Sequence, residues 1–173
     1  MSHQSAALPI AFVVLRILIV LNFIWGICIF ALLGGTIFAH EWTLTALGIT
    51  PGHAIRGILL GLQGIAALGL VAIALNYLIL KRLVAMVETV RTGDPFVAAN
   101  AYRLHAIAWI MVGMQLISIA IAAIARFIST PEFPIKLEAG FSLNSWVAIL
   151  LTFILARVFA EGTMMRDELD GTI

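Results

Sequence analysis

Four long runs without a single Asp, Glu, Lys or Arg dominate this chain: Ile17–Ala39, Gly57–Leu80, Leu104–Ala125 and Ala139–Ala156, the last resuming past Arg157 with Val158 and Phe159. About 20 apolar helical residues cross the ~30 Å hydrocarbon core of a bilayer. The runs match that length, and the period-two alternation of a membrane barrel strand is missing. The spacing therefore predicts an all-α, polytopic membrane protein. It forms a single four-helix domain over 1–173, with spans near 15–39, 57–80, 104–126 and 139–160. Composition agrees. Of 173 residues, 62% are hydrophobic and 11% charged, against about 45–50% and about 25% in average soluble domains. Lipid has to solvate the surplus. The first run exceeds the roughly 7–15 apolar residues of a signal peptide and is read as a retained helix. The one cysteine, Cys28, can form neither an intrachain disulfide nor a thiolate metal cluster by itself.

Orientation follows from the basic residues. The segment 81–103 carries Lys81, Arg82, Arg91 and Arg103, the N-terminal flank Arg16, and the C-terminal stretch Arg157 and Arg166; the two remaining loops hold Arg56, Arg126 and Lys136. The positive-inside rule then places both termini and the middle segment on the cytoplasmic side. In the two outer loops, Pro51-Gly52 marks a turn, and the alternation Phe133, Ile135, Leu137 marks a short extended piece.

The middle segment has its own punctuation. In "LKRLVAMVETVRTG", Leu80, Leu83, Val84, Val87 and Val90 recur at helical spacing. This predicts an amphipathic cytoplasmic extension of the second span, lying along the membrane or projecting from it. Gly93 suits its C-cap, Asp94 the N-cap of the next helix, and Pro95 that helix's first turn. Capping leaves Phe96, Asn100 and Arg103 unexplained. The tail 161–173 holds Glu161, Asp167, Glu168 and Asp170 against Arg166, opposite in net sign to the middle segment. Docking of tail on segment is expected, with Arg103 or Arg157 contacting Glu161.

Inside the spans, Gly57 and Gly61 form a GxxxG pair, with Gly64 and Gly69 following. Small residues let helices approach closely, within the bundle or between two copies of the chain. Asn22, Gln63, Asn76 and Gln115 are expected to bridge helices. No acid or base occupies the middle of a span, as ion-coupled transporters usually require. His40, Glu41 and His53 lack the spacing of a three-ligand zinc site, and His105 lies at a different depth from both histidines. Ser118 and Ser142 have no His–Asp partners near them in sequence. No metal, cofactor or catalytic residue is expected.

Two blocks carry a family likeness. "GDPFVAANAYRLHAIAW" (Gly93–Trp109) resembles the G-x-P-F-x3-N-x2-R-L signature of the family called domain of unknown function 2975. Gly93, Pro95, Phe96, Asn100, Arg103 and Leu104 match it. "FAEGTMMRDELDGTI" resembles that family's ending through Phe159, Gly162, Glu168, Thr172 and Ile173, with Gly171 where the family more often has Leu. The resemblance implies a small four-helix bacterial membrane protein without established enzymatic activity, often encoded beside helix-turn-helix transcription regulators. The expected function is a regulatory or sensor subunit that holds such a regulator on its inner face. The partner-facing candidates are Gly93, Asp94, Pro95, Phe96, Asn100, Arg103, Glu161, Gly162, Asp167 and Glu168. The chain itself is not basic enough for direct nucleic-acid binding. Two alternatives stay open: a transport or channel component with a polar path through the amides, and a lipid enzyme built around Arg103, His105 and Glu161.

Overall fold

The computed structural model describes residues 7–46, 55–129, 134–135 and 137–170, and of these the side chains of Ala7, His40, Ile55, Asp167, Leu169 and Asp170 lie outside the description. Among the described residues five helices follow in order: α1 (Ala7–Phe38), α2 (His40–Ala46), α3 (Ile55–Arg91), α4 (Ala98–Ile128) and α5 (Leu143–Asp170). No strand occurs among the described residues. Four of the helices, α1, α3, α4 and α5, are long and apolar enough to cross a membrane.

The helices outrun the charge-free runs that announce them. With 37 residues, α3 is about 55 Å long, which exceeds the ~30 Å apolar thickness even at the steepest tilts seen. Its C-terminal end, Lys81 to Arg91, is the charged part of that excess length. The last span is displaced the other way. Its apolar run starts at Ala139, yet α5 starts at Leu143, because Gly140 takes a φ of +127° that right-handed helix excludes.

The outward faces are apolar. In α1, Ile10, Trp25, Ile27 and Phe30 are all more than half exposed. In water such a surface would aggregate; in lipid it is the expected boundary.

Cα packing divides the chain into two units. One takes its described residues from Asn22–Ala74 and Met114–Ser142. There α2 docks on α3 through Leu44, which packs with Ile58, Leu59 and Leu62. Gly35 permits the close approach of α2: a Cβ at that position would stand 2.8 Å from Thr43 Oγ1. Asn22 Nδ2 donates to the Ile73 carbonyl at 3.2 Å, and Gln63 Nε2 to the Thr36 carbonyl at 3.3 Å. Both amides tie α1 to α3. Gln115 Nε2 donates to the Gly140 carbonyl at 2.8 Å, while Gly140 N–H donates to Ser118 Oγ at 3.0 Å. These two bonds hold the link before α5 onto α4 and satisfy main-chain groups that have no helix to serve them.

The GxxxG pair splits. A Cβ at Gly61 would overlap Ile128 Cγ2, whereas Gly57 has no such neighbour within 4 Å among the described residues. Gly64 faces Ile124 at 3.6 Å. Within this chain, Gly61 is the close contact between α3 and α4. The alternation 133–137 does not produce a strand: Ile135 and Leu137 are irregular, and Ile135 N–H is held by Ser129 Oγ at 3.1 Å. Phe133, the Pro51-Gly52 turn and His53 lie outside the described residues.

The other unit takes its described residues from Met1–Leu21, Leu75–Gly113 and Leu143–Ile173. Its interior holds Leu80, Leu104, Ile107, Ala108, Ile149 and Ala156, each less than 9% exposed. It contains all the described residues of the two sequence blocks.

Candidate functional site

The turn from α3 to α4 organises this second unit. Gly93 has a φ of +89°, a conformation that suits glycine and few other residues. Gly93 N–H donates to the Val90 carbonyl at 3.1 Å and Asp94 N–H to the Thr89 carbonyl at 3.0 Å. Together these are the paired bonds of a Schellman motif, with Gly93 at C′. The expected C-cap is thus present. The expected N-cap is not. Helix α4 begins at Ala98, too far on for Asp94 to reach its first N–H groups, and Pro95 lies in the extended link rather than in the first helical turn. The Schellman turn commits Asp94 N–H to α3, which leaves its carboxylate pointing elsewhere.

Asn100 does the bridging. Its side chain is fully buried, at 0% exposure, and uses both ends of the amide. Nδ2 donates to Thr89 Oγ1 at 2.7 Å and to the Pro95 carbonyl at 2.9 Å, and Oδ1 accepts from Arg103 Nη1 at 2.7 Å. Arg103 Nη1 also reaches the Ala85 carbonyl at 3.4 Å. One amide therefore joins α3, the link and α4. A buried amide with its donors and acceptor matched is cheap to keep and costly to mutate, because each lost partner strands a desolvated group.

Phe96 packs on α5. Its ring lies 5.5 Å from that of Phe159, tilted by 33°. A Cβ on Gly162 would stand 3.1 Å from Phe96 Cδ1, so the glycine opens the seat for the ring. Beyond it Arg166 forms an ion pair with Asp94. The residues shared with the family signature at Gly93–Leu104 thus meet those near Phe159–Gly162 in one clasp. Sequence reasoning had isolated Phe96, Asn100 and Arg103 as unexplained by capping; tertiary packing explains them.

One expectation about charge holds and another is corrected. Of the two bases expected at Glu161, Arg157 makes the contact, with Nε 2.8 Å from Oε1. Arg157 and Glu161 both lie on α5 and are exposed, an i,i+4 pair worth about 0.3–0.5 kcal/mol. The ion pair joining the C-terminal stretch to the middle segment has the opposite sign from the one expected: the acid, Asp94, is on the segment and the base, Arg166, is on the tail. Summed charges of the two segments do not identify which side chains touch.

The lipid-enzyme grouping does not converge. His105 Nε2 accepts from Trp109 Nε1 at 3.1 Å, and its ring meets Phe153 edge-on. Arg103 and Glu161 are engaged as described, and no hydrogen bond, ion pair or ring contact joins any two of the three. Glu168 is exposed. Among the described residues no group of three His, Cys, Asp or Glu is placed to hold a metal ion. Near the N-terminus, the guanidinium carbons of Arg16 and Arg91 lie 5.2 and 5.3 Å from the centre of the Phe12 ring. Sequence reading missed this contact, since it pairs α1 with the far end of α3.

No curated protein and no solved structure matches the chain. One family model does, over residues 43–173, which includes both halves of the clasp. The chain belongs to the family described as Protein of unknown function (DUF2975).

Proposed function

We propose that this protein is a non-enzymatic regulatory subunit of the bacterial cytoplasmic membrane. Both termini and the α3–α4 turn face the cytoplasm, and the clasp presents a surface to a soluble partner such as a helix-turn-helix transcription regulator. The observation that carries the reading is what the clasp leaves outside. One turn beyond the Phe96 seat, Met164 and Met165 are 63% and 60% exposed, with the Arg157–Glu161 pair beside them. Exposed methionines among charges make an adaptable protein-binding surface. The basic residues that set the orientation lie in the same unit: Arg16, Lys81, Arg82, Arg91, Arg103, Arg157 and Arg166. The transport alternative draws less support, since Asn22, Gln63 and Gln115 are spent on main-chain carbonyls. The enzyme alternative suffers from the separate engagements of Arg103, His105 and Glu161.

Co-purification of the tagged protein with a co-expressed regulator encoded beside it tests this. Met164→Glu with Met165→Glu should abolish capture while the protein stays folded, and truncation after Gly162 should do the same. Asp94→Arg acts indirectly by opening the clasp and should weaken capture less. If capture survives both the double substitution and the truncation, the surface is wrong. A C-terminal reporter active only outside the cytoplasm would overturn the orientation.

A further inference from the structure

The face of α4 and α5 beside the clasp carries a groove that shares Arg157 with the partner reading and otherwise lies outside it. It is a cavity of about 470 Å³, floored by Ala101, Ala156 and Ala160 and walled by Tyr102, His105, Phe153 and Arg157. The alanines matter: with only methyl groups on the floor, a slender guest can lie between the two helices.

The walls are graded. One end presents hydrogen-bond donors. Tyr102 is 73% exposed, and the Arg157 side chain is 78% exposed. Because His105 Nε2 accepts from the Trp109 indole, the neutral imidazole carries its proton on Nδ1 and is a donor there. The other end is aromatic. Phe153, in the wall, stands edge-on to His105 and to Trp109, which lies next to the groove and not in its lining, with ring centres 5.5 Å apart in each case, and Trp109 is 59% exposed. Arg, Tyr and Trp on a spanning helix are typical of the headgroup level, and both α4 and α5 are candidate spans.

Donors at one end and apolar rings at the other call for an amphiphile rather than a free anion. The charge state can be narrowed too. Arg157 binds Glu161 through Nε, which leaves its terminal N–H groups for a second acceptor but keeps a carboxylate close by. That neighbour tolerates a singly charged phosphodiester better than a doubly charged phosphate. We propose that the groove holds one glycerophospholipid molecule, its phosphodiester on Arg157, Tyr102 and His105 and one acyl chain along Phe153 and Trp109. The inference does not depend on the partner reading.

Native mass spectrometry of the full chain in detergent tests it, with phosphatidylglycerol as the probe, and with diacylglycerol and inorganic phosphate as the two half-ligands. Phosphatidylglycerol should be retained as a single copy, more strongly than either half-ligand. Ala160→Leu fills the floor without touching a charge, and Arg157→Gln removes the cation while leaving the floor open. Each should lower retention by roughly tenfold. Circular dichroism and elution volume report folding; if Ala160→Leu disturbs them, Ala101→Leu fills the groove from the α4 side, and Arg157→Gln alters only an exposed side chain. Diacylglycerol retained equally well would make the site merely apolar, and phosphate displacing the lipid at equal concentration would make it an anion site. Either result, or unchanged retention in the variants, overturns the proposal.

Discussion

In the unit built from Asn22–Ala74 and Met114–Ser142, the amides Asn22, Gln63 and Gln115 donate to main-chain carbonyls; in the other unit, several polar side chains also reach one another. Asn100 with Thr89, Asn100 with Arg103, Asp94 with Arg166 and Arg157 with Glu161 all belong to the second kind. The difference has a physical consequence. A carbonyl acceptor is present whatever residue supplies it, so an amide tie constrains one identity in the sequence. A side chain–side chain tie constrains two, and Asn100, which has three partners, constrains more. The two units should therefore answer mutation differently.

The sharpest test is Asn100→Leu. It removes three hydrogen bonds from a fully buried site and leaves Arg103 and Thr89 facing an apolar group. We expect a loss of about 2–4 kcal/mol, read by chemical or detergent-induced unfolding. Gln115→Leu, the counterpart in the other unit, should cost only about 0.6 kcal/mol, the usual scale for a polar tie between membrane helices. Equal losses would remove the distinction between the units.

These contrasts also mark how far the chain could be read in advance. The spanning helices are legible because charge-free runs of that length have no other use. Gly93 is legible because its positive φ leaves few alternatives to glycine. Asp94 and Pro95 are not, because the same residues suit a helix start and the link before it, and only the Schellman bonds decide between them. Phe96 could not be read. Its seat is Phe159 and Gly162, far along the chain, and nothing in the spacing of either block points to the other.

Packing against small residues gives the next test, of intermediate size. The motif Gly57-x-x-x-Gly61 treats its two glycines alike, yet among the described residues only Gly61 has a close neighbour, Ile128. Gly61→Ala should cost about 1–3 kcal/mol through overpacking, and Ile128→Ala in the same molecule should recover part of it. Gly57→Ala should stay within about 0.5 kcal/mol of the parent. A large loss at Gly57 that appears only in the assembled state would show that the motif serves contact with a second copy.

The smallest expected effect concerns the pair whose sign ran against expectation. Asp94 and Arg166 are each close to half exposed, so water and salt screen their attraction, and pairs of this kind contribute about 0–1 kcal/mol. Arg166→Asp should destabilise by no more than that, and the loss should shrink as salt is raised. Asp94→Arg combined with Arg166→Asp restores an opposite-charge pair and should return most of the loss. Phe96→Ala should cost more than either single charge reversal, because it empties the seat between Phe159 and Gly162. If the charge reversals proved the more damaging, the clasp would be held by its ion pair, and the ring would only fill space beside it.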